Sequence, residues 1–325
     1  MANIKDVAQR SGVTVTTVSR VLNNRGYISE KTRNNVYKAM EELDYQPNEL
    51  ARALFRRKSN LIGFIIPDVA HPFFAQLTSN IEYYAYKNGY KMLLCNAYND
   101  STKEQDYIDM LKRNQVDGII MGSHTLEVSE YLNLRLPIVA IDRYLSENIP
   151  YVASDNYNGG VLATKLLIEK GCKNLAHISG PLNLNTSANR RCEAFVSIAN
   201  ENNMSYVVSE TRINNFDKQE YERLIYKLFE ENPDIDGIFA SSDMIATCIV
   251  QVANVLGKSI PLDLKIVGYD DINIASLIVP SLTTIRQPIK EIAKLAVEVL
   301  INQINEKKVN HENILPIELI ERRTT

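Results

Sequence analysis

From residue 60 onward, short apolar runs rich in β-branched residues alternate with helical patterns, and this alternation narrows the fold more than any other feature. Strand-like runs occur at Leu61–Pro67, Lys91–Asn96, Gly118–Gly122 and Ile138–Ile141, and again at Leu175–Ser179, Tyr206–Val208, Gly237–Ser241 and Lys265–Tyr269. Between them lie helical patterns such as Ala75–Lys87, Lys103–Arg113, Gly160–Glu169 and Lys218–Glu230. Strand–helix–strand alternation builds parallel sheets with helical crossovers, so the class is α/β. The run to about residue 157 makes one sheet and the run from about 158 to 285 makes another. A helix from Pro288 to about Ile304 and a final extended stretch return to the first half.

In open α/β sheets, ligands bind beyond the carboxyl ends of the strands. Asp68 follows IIP, Asp142 follows VAI, Ser242 and Asp243 follow IFAS, and Asp270 follows VGY. A carboxylate at a strand end can accept two sugar hydroxyls. Asp243 reads equally well as the N-cap of MIATCIV.

The first 58 residues have a different character. Ile4, Val7, Ala8 and Ser11 share one helix face, Asp6 sits where the helix dipole favours a negative charge, and Gly12 ends the helix. Thr14 is a good N-cap for a second helix. On that helix Val15, Val18, Val21 and Leu22 share one side, and Thr16, Ser19, Arg20 and Asn23 share the other. Two helices joined by so short a turn form a helix-turn-helix, whose second helix enters the major groove. Arg20 can grip guanine through two hydrogen bonds, and Val15 can touch a thymine methyl. A third helix is capped by Ser29, has Thr32, Val36, Ala39, Met40 and Leu43 inside, and closes at Pro47. Asn48 to about Phe55 then forms a very short helix ahead of Arg56, Arg57 and Lys58. Isolated helices under ~12 residues are marginal in water. This one is expected to order on DNA, with Leu54 as a minor-groove wedge.

Charge follows the same division. Residues 1–60 hold 11 Lys/Arg against 6 Asp/Glu, leaving +5, and the remaining 25 against 33 leave −8. A basic head on an acidic body points to nucleic acid. At 325 residues and 45% hydrophobic, the chain is expected to hold more than one domain. It lacks any run of ~18 apolar residues and begins with a polar helix, so neither a membrane span nor a secretory signal is expected. Cys95, Cys172, Cys192 and Cys248 have no paired spacing, which fits a reduced cytoplasm and neither a zinc site nor a disulfide framework. No dinucleotide fingerprint, phosphate loop, nucleophile elbow or zinc-protease motif is present, and no metal or cofactor is expected. His124, His177 and His311 have no ligand-like spacing and read as structural or exposed.

The opening IKDVAQRSGVTVTTVSRVLN, then YQPNELARAL, GFIIPDVAHPFFAQL, VDGIIMGS, SDNYNGG, GIFASSDMIA, VGYDD and SLTTIRQP together resemble the LacI/GalR family of bacterial repressors. Within it, CNAYND, KEQDYIDMLKRNQVDGIIMGSH and AIDRYL look most like the sucrose-operon repressors of low-GC Gram-positive bacteria. The resemblance implies a helix-turn-helix head over 1–46, a hinge helix and linker over 47–59, and a two-lobed, periplasmic-binding-protein-like core over 60–325. Lobe 1 would span about 60–157 and 288–320, and lobe 2 about 158–287 and the C-terminal end. Val15, Thr16, Arg20 and Leu54 would contact bases, and Thr14, Thr17, Asn23 and Tyr45 would face phosphates. Asp68, His71, Phe73, Phe74, Asp142, Arg191, Phe216, Ser242 and Asp270 would surround an effector between the lobes. Arg191 lies in RCEAF, where the family usually has R-x-x-G-F, so Ala194 replaces a glycine and puts local packing in question.

The implied function is repression of a sugar-utilisation operon in the cytoplasm. A homodimer would bind palindromic operator DNA and be released by a small sugar or sugar phosphate of the sucrose or fructose type. A phosphorylated carrier protein acting as corepressor is the alternative, and a sugar-acting enzyme a remote one.

Overall fold

In the computed structural model, the described residues are 2–46, 58–98, 100–123, 125, 131, 134–183, 186–211 and 217–325. They fall into two compact units, Met1–Asn60 and Leu61–Thr325.

The head begins with α1 (Ile4–Ser11). Asn3 Oδ1 accepts from the Lys5 amide at 2.8 Å, and the Asp6 carboxylate accepts from the Asn3 amide at 2.8 Å, so Asp6 completes a cap as well as meeting the dipole. Gly12 takes φ 68, the left-handed conformation that ends the helix. Thr14 Oγ1 accepts from the Thr17 amide at 3.1 Å and starts α2 (Val15–Leu22). Ser29 caps α3 (Glu30–Glu42) through the Thr32 amide at 3.2 Å. Val7, Ala8, Val18, Val21, Val36 and Ala39 make the small core, with Leu22, Met40, Leu43 and Tyr45 packed against it. Val15 departs from the expected apolar stripe: it is 40% exposed, while Val18 and Val21 are buried.

The larger unit opens with β1 (Leu61–Ile66), α4 (Pro72–Lys87), β2 (Lys91–Asn96), α5 (Ser101–Arg113), β3 (Gly118–Met121), β4 (Ile138–Ile141) and β5 (Tyr151–Ser154). It continues with α6 (Asn156–Glu169), β6 (Asn174–Ser179), α7 (Asn189–Glu201), β7 (Ser205–Glu210), α8 (Lys218–Glu231), β8 (Gly237–Ala240), α9 (Asp243–Val255) and β9 (Lys265–Asp270). It closes with β10 (Thr283–Arg286), α10 (Ile289–Ile304), β11 (Glu312–Leu315) and β12 (Glu318–Ile320). Two six-stranded sheets result, ordered β11-β5-β4-β3-β1-β2 and β12-β10-β9-β8-β6-β7. Their pairs are parallel except β10 with β12.

The chain passes between the two sheets at β5 to α6, at β10 to α10, and at β11 to β12. The final stretch is therefore divided. β11 joins the first sheet, but β12 already lies in the second, so lobe 1 ends before residue 318 and not at 320. Arg286 pairs with Glu318 at 2.8 Å and helps hold that last strand in place.

Helix α6 starts four residues earlier than the sequence pattern suggests, because Asp155 caps it through the Asn158 amide at 3.1 Å. Gly159 and Gly160 lie inside the helix for reasons of space. A Cβ on Gly159 would meet Tyr269 Oη at 2.6 Å, and one on Gly160 would meet the Arg191 carbonyl at 2.5 Å. The same Cβ would sit 2.8 Å from the Ala194 Cβ, so Gly160 makes room for the alanine that departs from the family pattern.

Candidate functional site

On α2, Thr16 and Arg20 lie one turn apart and both are exposed, as are Thr14 and Val15. This surface matches the side of a helix that can meet base edges. The expected phosphate set is more engaged. Thr17 and Thr14 share a hydroxyl hydrogen bond of 2.9 Å, Asn23 Nδ2 donates to the Ser19 carbonyl at 2.9 Å, and Tyr45 packs against the head core. Leu54 and the short helix predicted around it lie outside the described residues.

The larger unit gathers its polar residues where strands of both sheets end. Asp142 follows β4 with φ 57, and Asp270 ends β9 with φ 115, followed by Asp271 at φ 55. Non-glycine residues in such conformations cost about 1–3 kcal/mol each and concentrate at functional sites. The guanidinium of Arg191, on α7, is buried, feels the charges of both aspartates and lies 3.5 Å from the centre of the Tyr269 ring. Its Nε donates to Asn156 Oδ1 at 2.7 Å and its Nη1 to the Ser241 carbonyl at 2.7 Å, while Nη2 stands 3.9 Å from Asp142 Oδ2. Asn156 Nδ2 in turn donates to Asp142 Oδ1 at 2.8 Å. Asp270 Oδ1 accepts from Gln287 Nε2 at 2.7 Å, and Gln287 Oε1 accepts from Ser154 Oγ at 2.7 Å.

Burial dominates the electrostatics. It raises the Asp142 carboxyl against the pull of Arg191 and Asn156. It pushes Asp270 up to about 7, with Arg191 and Gln287 opposing and Asp142 adding. Asp142 and Asp270 thus both feel the Arg191 guanidinium, Asp270 also feels Asp142, and Asp243 feels Asp270. Such a site prefers to receive hydroxyl donors, which stabilise carboxylates without adding negative charge.

Asp243 takes neither role expected of it. The N-cap of α9 is Ser242, whose Oγ accepts from the Ile245 amide at 3.3 Å. Asp243 is fully buried, accepting from Thr284 Oγ1 at 2.5 Å and from the Ile272 amide at 2.9 Å. Burial, then the Asp270 charge, raises its carboxyl well above the usual range.

After β1, Asp68 is half-buried and accepts from the Ala70 amide at 2.9 Å, shaping the turn into α4. His71 is buried, edge-on to Phe74 at 5.6 Å. Burial lowers its imidazole to about 4 against the Asp68 charge, so at neutral pH it is an uncharged ring. Of the two neighbouring phenylalanines expected at the cleft, Phe73 packs into the core instead. It shares a helix face with Leu77, Ile81 and Ala85 at four-residue spacing, which leaves Phe74 as the half-buried ring. Phe216 lies outside the described residues, as does His124. His177 is a core residue, stacked 5.2 Å from Phe195 and 4.6 Å from Phe239. His311 faces the Ser146 carbonyl at 2.6 Å, and all four cysteines are free and buried.

Ser154, Asn156 and Gln287 were not singled out in the sequence. Ser154 ends a strand, β5, that was not recognised, and Gln287 follows another, β10.

The sequence pattern of bacterial regulatory proteins of the lacI family matches residues 3–48, and that of the periplasmic binding protein-like domain matches 164–325. The ribose operon repressor of Halalkalibacterium halodurans is 42% identical over 326 residues, covering 100% of this chain and 97% of that protein. The sucrose operon repressor of Streptococcus mutans is 43% identical over 320 residues, covering 98% of each. Among solved structures, a periplasmic binding protein/LacI transcriptional regulator from Alkaliphilus metalliredigens, complexed with D-xylulofuranose, superposes with a TM-score of 0.74 at 35% identity. That match covers 82% of this chain and 99% of the other. Similarity of this closeness, running from the helix-turn-helix through both lobes, makes the chain a member of the lacI family of bacterial regulatory proteins.

Proposed function

We propose that the chain is a cytoplasmic, sugar-responsive repressor of a sugar-utilisation operon and not an enzyme. Two copies read a palindromic operator through α2, since half-sites on a duplex mirror a two-fold protein axis. Val15, Thr16 and Arg20 take the base edges, with Thr14 and Thr17 beside the phosphates. The effector lies between the lobes among Asp142, Arg191, Asp270, Phe74, Asp68, His71 and Ser242. The observation that carries this reading is the meeting of Asp142, from the first sheet, with Arg191 and Asp270, from the second.

The relatives that control ribose and sucrose operons, and the sugar held by the Alkaliphilus protein, support a sugar as the ligand. Charge favours an uncharged one. A phosphate would enter beside the Asp142 and Asp270 carboxyls, which share one guanidinium, Arg191, whereas free hydroxyls donate to those carboxyls.

Fluorescence anisotropy with the promoter fragment next to the protein's own gene tests this. Sucrose, D-fructose and D-ribose are titrated in, each alongside a phosphate ester. The expected result is tight DNA binding released by one free sugar and left alone by its ester. Release only by a phosphorylated carrier protein would replace the sugar with a protein ligand, and a fragment that never binds would sink the repressor reading.

A further inference from the structure

We propose that Asn156 is the positioning residue that transmits cleft occupancy to the angle between the lobes. The proposal rests on the sugar-responsive reading above. Asn156 is the first residue of α6, just after the chain leaves the first sheet at Ser154. It is only 2% exposed, and its amide is taken up by protein partners. Its side-chain amide touches both lobes. Nδ2 donates to Asp142 Oδ1 at 2.8 Å and to the Ser154 carbonyl at 3.1 Å, both in the first lobe. Oδ1 accepts from Arg191 Nε at 2.7 Å, in the second.

The direct Asp142–Arg191 approach is longer, at 3.9 Å, so the amide is the short connection between the two charges. Its orientation is forced. A carboxylate only accepts and a guanidinium only donates, so a flipped amide would lose both bonds. A sugar that takes hydroxyl contacts from Asp142 or Arg191 therefore competes for groups Asn156 holds in register. One adjacent link, the Ser187 amide to the Asp142 carbonyl at 3.0 Å, crosses the cleft beside it. The chain Ser154–Gln287–Asp270 runs parallel across the second crossing. That second tie ends on Asp270, which feels the same guanidinium without an intervening amide, whereas Asn156 is hydrogen-bonded to both Arg191 and Asp142.

The test separates coupling from binding. Asn156→Asp keeps the acceptor for Arg191, removes the donor to Asp142, and sets carboxylate against carboxylate. Asn156→Ser removes both bonds and adds no charge, and it carries the test if the first variant melts early. With the full chain, D-ribose, sucrose and D-fructose are titrated by calorimetry with and without the promoter fragment. Effectors usually change a second ligand's affinity by about 5–150-fold. The variants are expected to bind the active sugar more weakly but to bring that ratio within about twofold of one, operator affinity alone being kept. A ratio equal to wild type in both variants overturns the proposal, as does complete loss of sugar binding, which would make Asn156 merely part of the pocket. A wild-type protein with no ratio for any of the three sugars sinks the sugar reading and this proposal with it, so the two failures are told apart.

Discussion

Asp270 is a buried carboxyl whose proton is held to about 7, well above its ordinary 3.8. Between those two values the folded protein binds the proton more tightly than the unfolded chain, so folding stability falls as pH rises through that window. Above it the full penalty of burying the charge is present. Asp270→Asn removes the charge and keeps the shape, so its melting temperature relative to wild type should rise more at pH 8 than at pH 5. Equal differences at both pH values would mean that Arg191 and Gln287 already neutralise the site. Sugar affinity should run the other way and strengthen from pH 6 to 8, because hydroxyl donors favour the ionised carboxylate. Asp142, Asp243, Asp271 and Arg191 surround the same group, so the midpoint belongs to the cluster. On the head, Arg20→Ala should cost about 1–3 kcal/mol at one operator position and relax preference there. A loss spread evenly over all fragments in anisotropy would mark Arg20 as a phosphate contact. The strand-end aspartates were legible because a charged residue directly after an apolar strand stands out, and Arg191 was legible through the family's R-x-x-G-F pattern. Asn156 and Gln287 were not, since an uncharged amide carries no signal until its partners are known.

Among elements, the strands read from the sequence include the sheet edges β2 and β7, whereas β5, β10 and β12 were not recognised. β1, β3, β4 and β8 are buried apolar runs. β10 reads TTIR and β12 reads ELI, too short and too polar to separate from loop. α7 starts after Ala188 with no side-chain cap, so the usual start signal is missing. The glycine pair in α6 illustrates how local rules yield to packing. Glycine lowers helix propensity, yet here it admits the Arg191 backbone of α7. Gly160→Ala should therefore destabilise by about 1–3 kcal/mol through overpacking, despite the gain in propensity. Thermal unfolding checks this, and an unchanged or raised midpoint would show that α6 and α7 slide apart without cost.

At the scale of the whole molecule, charge separates the two functions. A head carrying +5 and a body carrying −8 direct DNA to the head. Operator affinity should fall linearly with the logarithm of salt, with a slope of about 0.9 per phosphate neutralised. Sugar affinity, which the proposed function assigns to hydroxyl contacts with buried carboxyls, should hardly change over the same range. Calorimetry and anisotropy across a salt series would show both, and a steep salt dependence for the sugar would argue for a charged ligand.

The crossing at β11 to β12 has a consequence in time. α10 and β11 complete the first lobe, and β12 with the stretch to Thr325 completes the second, where Thr324 Oγ1 accepts from the Thr283 amide at 2.8 Å and donates to the Ile266 carbonyl at 2.7 Å. On the ribosome the head emerges first, with its own small core already whole. Neither lobe can close its sheet until the last stretch of chain is out, so a growing polypeptide passes through a period in which the DNA-reading part exists before the part that governs it.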